Sequence, residues 1–113
     1  MKFCLIISCN PSSNLSYTAL KFAKSVIKLN HQISTLFFLS DGVYHSLKSN
    51  NKEDIFWHDW LKLMAINKIK LLTCSSANIK RGINIDNTSS YIKIAGLGEL
   101  IIAMQESQRV IKF

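Results

Sequence analysis

The feature that most constrains this chain is a set of apolar runs without alternation. Phe3 to Ile7, Ile33 to Leu39 and Ile69 to Thr73 place apolar residues at successive positions, so a strand built from any of them presents apolar side chains to both faces. Such strands need cover on both sides, which is the pattern of a parallel sheet between layers of helix. The intervening segments supply helices. Ser16 is an expected N-cap ahead of Leu20, Ala23 and Ile27, with Leu15 and Leu20 placed as a hydrophobic staple and the helix running to about Leu29. Asp41-Gly42 closes the second run and completes a β-α-β unit, and the polar stretch Ser46 to Lys52 reads as a loop. Phe56, Trp57, Trp60, Leu61 and Met64 give a second amphipathic helix. From Asn84 to Ile94 the pattern is weak. Leu97, Leu100, Ile101 and Met104 then form a further helical stripe, and Val110 to Phe113 is a closing strand. The order β-α-β-α-β-α-β predicts an α/β fold: a three-layer open, mostly parallel sheet with helices on both faces, in a single domain over residues 1–113.

Composition narrows the function classes. With 48% hydrophobic and 19% charged residues the chain can bury a core. The formal charge of +7 fits an acidic partner, and fits equally a Lys-, Ile- and Asn-rich compositional bias. Three cysteines without a CxxC pair argue against a disulfide framework or a zinc site. Cys4 and Cys9 on one strand would be about 16 Å apart, beyond disulfide reach. Reduced thiols in a reducing, cytoplasmic setting are the expectation. The opening Lys2-Phe3-Cys4-Leu5-Ile6-Ile7-Ser8-Cys9 mimics a lipoprotein signal, but its apolar run is shorter than the roughly 7 residues of a signal core, and no run approaches the about 18 residues of a membrane span.

In parallel sheets the functional crevice lies beyond the carboxyl ends of the strands. Three loops therefore matter: Cys9 to Leu15, Ser40 to Lys52 and Cys74 to Gly82. Cys74 stands at the end of the third strand, with Ser75 or Ser76 able to cap a short helix running toward Lys80, whose positive end would favour a thiolate. Position alone fits a buried structural cysteine as well as a reactive one. Lys80 and Arg81 lie about 9 Å along that helix, near the screening length, and suit docking of a partner better than activation of the thiol. His45 follows Gly42-Val43-Tyr44 on the functional side, as a possible pocket residue or an exposed loop histidine. Ser12, Ser13, Ser16 and Thr18 invite comparison with a phosphate loop, but no glycine lets the backbone close on a phosphate. Trp57 and Trp60 suit core and subunit interface better than base stacking.

The segment Cys74 to Gly82, ending Lys80-Arg81-Gly82, resembles the active-cysteine segment of the sulfurtransferase subunits of the DsrE family. The resemblance is colinear over nearly the whole chain. It includes the opening Met1 to Ile7, the stretch Asn30 to Phe38 with Asp41-Gly42-Val43-Tyr44, Trp60, Gly96 to Leu100, and Arg109 to Phe113. It implies a DsrE-like fold and a catalytic Cys74 that takes a sulfane sulfur from a TusA-like donor, holds it as a persulfide and passes it to a TusE-like acceptor for 2-thiolation of the tRNA wobble uridine. It further implies a hetero-oligomer with homologous TusB-like and TusC-like subunits and no metal or organic cofactor. The chain has no aromatic–basic RNA-binding motif and no apolar run of membrane-spanning length, so neither direct nucleic-acid contact nor a membrane is expected. A sulfur carrier in sulfur oxidation, or a non-catalytic α/β scaffold or small-ligand module, are the alternatives. Two departures stand out: the region Asn84 to Ile94 looks short for the family, and Cys9-Asn10-Pro11 stands where the family begins its first loop with glycine. Cys9, also at a strand end, is expected to be dispensable.

Overall fold

In the computed structural model, which describes residues 1–48 and 55–113 and only the backbone of residues 55–57, the three apolar runs are adjacent strands of one sheet. The elements are β1 (Lys2–Ile7), α1 (Asn14–Lys28), β2 (Gln32–Phe38), a 3-10 segment (Ser40–Ser46), α2 (Ile55–Asn67), β3 (Lys70–Cys74), α3 (Ser75–Lys80), β4 (Lys93–Ala95), α4 (Leu97–Gln105) and β5 (Arg109–Lys112). The sheet order is β4-β3-β2-β1-β5, and all pairings are parallel. Three successive crossovers step from β1 toward β4, and the last, through α4, returns across the sheet to β5. With right-handed crossovers, α1 and α2 share one face and α4 takes the other. The packing agrees: α1 lies against α2 and β2, and α4 against β2 and β4.

The continuous apolar runs are buried on both faces, as expected. Cys4 to Ile7 and Leu36 to Phe38 are successive buried residues, and Leu5, Ile7, Leu36, Phe37 and Phe38 are fully enclosed. Each such side chain contributes about 1.5–3 kcal/mol through loss of apolar surface from water.

Several local expectations are corrected. The N-cap of α1 is Ser13, whose hydroxyl accepts from the Leu15 amide at 3.2 Å, because Ser16 is drawn into the interior by partners outside the helix. Leu15 is exposed and lies within the helix after its cap, so it is not placed as the residue preceding the cap that a staple needs. A strand missed in the weak region, β4, pairs with the end of β3. Part of the loop expected at residues 46–52 is instead the end of the 3-10 segment, and residues 49–52 lie outside the described residues. Of the two tryptophans expected at the core and subunit interface, Trp60 is wholly buried in the core, while the side chains of Phe56 and Trp57 lie outside the described ones. Among the described residues no helix is long and apolar enough to cross a membrane.

The 3-10 segment is seated by a close backbone approach. The Gly42 amide donates to the Leu39 carbonyl at 2.8 Å, and a Cβ on Gly42 would overlap the carbonyl oxygen of Ile7 at the end of β1. Only glycine lets this turn lie on β1. Gly42→Ala is therefore expected to displace the segment and cost about 1–3 kcal/mol or more of stability. Urea unfolding measures this directly, and an unchanged midpoint would contradict the steric argument.

Cys4 sits in β1 opposite Thr35 and Val110, fully buried, and burial pushes its thiol from 9.0 to about 11. The core accepts the neutral thiol and penalises the thiolate. The unfolded chain therefore releases this proton at lower pH than the native state. The resulting stability is intact below about pH 9 and falls as pH rises toward 11, by up to about 1.4 kcal/mol per pH unit. Unfolding free energies measured across that range should fall more steeply for the native sequence than for Cys4→Ala. Parallel slopes would show that Cys4 titrates alike in both states.

Candidate active site at the carboxyl edge of the sheet

β3 ends in Cys74, which is also the N-cap residue of α3, with extended backbone angles of φ −68° and ψ 121°. The sequence reading gave the capping role to Ser75 or Ser76. In the structure the strand runs one residue further, so the cysteine itself makes the turn into the helix. Its Sγ lies 3.3 Å from the hydroxyl of Ser76. Cys74 is 2% exposed, in line with the buried of the two readings that its position allowed, whereas Ser76 is exposed. The sulfur thus lies beneath a serine at the surface.

Asn78, one turn along α3, fixes the cysteine's backbone. Its Nδ2 donates to the Cys74 carbonyl at 2.8 Å and to Thr73 Oγ1 at 3.1 Å. Its Oδ1 is buried and, among the described residues, has no hydrogen-bond partner. Such an orphaned acceptor costs about 1–3 kcal/mol. Sequence reasoning missed Asn78, although its place at i+4 from Cys74 put it on the same side of the turn.

The 3-10 segment brings the remaining candidates to this edge. Arg81 donates through Nε and Nη2 to Asp41 Oδ1 at 3.1 and 2.8 Å, and through Nη1 to the Ala77 carbonyl at 3.1 Å. Its guanidinium also stands 6.0 Å from the centre of the Tyr44 ring. Arg81 is therefore a strut between the end of α3 and the 3-10 segment rather than the free docking cation expected from sequence, while Lys80 beside it is exposed. Ser46 Oγ donates to the Val43 carbonyl and lies 3.4 Å from Thr73 Oγ1, which links the segment to the residue before Cys74.

His45 is buried rather than an exposed loop residue. It is 3% exposed, stacks on Phe38 with ring centroids 5.1 Å apart, gives its Nδ1–H to the Gly42 carbonyl at 2.8 Å and meets Ser16 Oγ through Nε2 at 3.0 Å. Ser16 in turn lies 3.5 Å from the sulfur of Cys9. Sequence reasoning treated Ser16 as a cap and set Cys9 aside. Their link to His45, 29 residues from Ser16, had no local signal. A groove of about 720 Å³ on the α4 side, walled by Thr35, Leu71, Tyr91, Lys93 and Glu99, contains neither Cys74 nor His45.

The chain as a whole is similar to known proteins. Sulfurtransferase TusD of Buchnera aphidicola (from Schizaphis graminum) is 34% identical over 111 residues, covering 85% of this chain and 86% of its own. The TusD homolog of Pseudomonas aeruginosa is 30% identical over 128 residues and covers all of this chain and 97% of its own. That alignment is longer than the 113-residue chain, so the relative carries stretches that this protein lacks. The YchN protein of E. coli superposes with a TM-score of 0.79 at 21% identity over the full length of both chains. A Methanobacterium thermoautotrophicum protein of unknown function does so with a TM-score of 0.76 at 12% identity, over 99% of this chain and 98% of its own. Both structural neighbours have the same α/β fold of a parallel sheet flanked by helices. The model of the DsrE/DsrF-like family matches residues 1–113, and the chain belongs to that family.

Proposed function

We propose that this protein is a sulfur-relay subunit in which Cys74 accepts a sulfane sulfur and passes it on toward 2-thiolation of the tRNA wobble uridine. The observation that carries the reading is the placement of Cys74 at the junction of β3 and α3, in a chain whose relatives are named sulfurtransferases. The exchange needs little machinery. The Cys74 sulfur attacks the outer sulfur of a donor persulfide, the donor's S–S bond breaks, the donor leaves as a thiol and Cys74 holds Cys–S–SH. A TusA-like protein would be the donor and a TusE-like protein the acceptor, in a cytoplasmic complex with TusB-like and TusC-like subunits. Leu97, Ile101 and Ile102 on α4 are about half exposed and offer those subunits an apolar strip. A carrier in sulfur oxidation would use the same thiol step and differ in its acceptor.

Burial of the sulfur defines what the relay requires. Ser76 Oγ lies 3.3 Å from Sγ and Cys74 is 2% exposed, so the relay requires a local rearrangement around the sulfur when a donor docks. The same 2% exposure favours a second reading, in which Cys74 is a structural core residue of a non-catalytic module. Incubation with a protein persulfide donor separates the two. The native protein is expected to gain the mass of one sulfur on the Cys74 peptide, and Cys74→Ser should abolish transfer onward to the acceptor while remaining folded. Transfer at the native rate by Cys74→Ser would remove Cys74 from the pathway.

The charge at the end of α3 divides between two roles. Arg81 is committed to Asp41, so steering of an acidic donor falls to Lys80. Lys80→Glu should slow sulfur transfer by weakening association, and most of the loss should disappear at high salt as screening removes the long-range term. A defect of equal size at low and high ionic strength would rule out steering.

A further inference from the structure

Cys9 stands just beyond the carboxyl end of β1, where the order of strands reverses: chain progress runs from β1 through β2 and β3 to β4 on one side, and β5 returns to the other. In open parallel sheets this switch point is where ligands bind. Cys9 is partly exposed there, unlike Cys4 and Cys74, which are buried.

Its sulfur heads a chain of polar contacts that runs inward. Cys9 Sγ to Ser16 Oγ is 3.5 Å, Ser16 Oγ to His45 Nε2 is 3.0 Å, and His45 Nδ1 to the Gly42 carbonyl is 2.8 Å. The last contact fixes the tautomer. A carbonyl oxygen only accepts, so Nδ1 carries the hydrogen, and in the neutral ring Nε2 is then an acceptor. The Ser16 proton has two acceptors, His45 Nε2 and the Asn10 carbonyl at 3.1 Å, while the serine oxygen can accept from the thiol. The ring is held by stacking on Phe38 and by the seat of Gly42 on β1. A nucleophile, a connecting hydroxyl and a base oriented by a third group form the arrangement that activates cysteine and serine nucleophiles.

We propose that Cys9 is a second nucleophilic thiol, served by His45 through Ser16, whose substrates are small disulfides or persulfides. In the step, Cys9 gives its proton to Ser16 as the serine proton moves to His45 Nε2. The Cys9 sulfur forms a bond to one sulfur of the incoming molecule, and the original S–S bond breaks. The departing sulfur takes back a proton along the same path and leaves as a thiol. The Cys9 thiol is consumed and one thiol is released, one S–S bond forms as one breaks, and no external oxidant or reductant is needed. Cys9 touches the substrate, whereas Ser16 and His45 relay the proton.

The test uses the full chain carrying Cys74→Ser, so that failure of the Cys74 reading does not affect it, with glutathione disulfide as probe. Intact mass and peptide mapping should find one glutathione adduct, on Cys9. Ser16→Ala and His45→Gln in that background should each slow its formation by at least about tenfold, within the range general-base assistance supplies. The parent reaction should run slower in heavy water and that of Ser16→Ala should not, a difference a merely structural serine would not produce. Should His45→Gln fail to fold, Ser16→Ala and the isotope comparison decide alone. An adduct rate unchanged by Ser16→Ala, an isotope effect that survives it, or an adduct elsewhere than Cys9 would overturn the proposal.

Discussion

The contact of Gly42 with the carbonyl end of β1 is the constraint on which the rest of the carboxyl edge depends. It brings the 3-10 segment Ser40–Ser46 down onto the sheet. From that seat Asp41 reaches Arg81 at the far end of α3, His45 reaches Ser16 in α1, and Ser46 reaches Thr73 in β3. One glycine without a side chain therefore positions residues from three elements that are distant in sequence. The individual hydrogen bonds are worth about 1 kcal/mol each, but they share one backbone and act together.

Much of the fold was legible in the sequence because its signal is local. β1, β2 and β3 are apolar at successive positions, and that pattern requires cover on both faces whatever the rest of the chain does. The stripe of Leu97, Leu100 and Ile101 likewise gave α4. β4 was not legible because it has three residues, Lys93–Ala95, too few for any period to register. The cap of α1 was misplaced for a different reason. Ser13 and Ser16 are equivalent by type, and what separates them is a histidine brought close by the β1-α1-β2 turn.

The candidate site was legible in outline only. A cysteine at the end of an apolar run marks a strand terminus, which is how Cys74 was found. Whether its sulfur faces water depends on how the folded chain packs around the strand end, where Ser76 Oγ lies 3.3 Å from it, and residue type does not encode that. Arg81 reads from sequence as a cation next to a reactive position. Its partner Asp41 is 40 residues earlier, so only the folded chain turns a surface charge into a strut.

The placement of β1 between β2 and β5 has a consequence for synthesis. The first strand to be made pairs on one edge with a partner about thirty residues later and on the other with the last strand, where the Ser8 hydroxyl meets the Phe113 carbonyl across 105 positions. Until residue 113 has been made, the nascent sheet carries a hydrophobic central strand with one side unpaired. An apolar strand with an open edge is a site for wrong pairing and aggregation, so the topology makes the interval before β5 joins the sheet the exposed stage of folding.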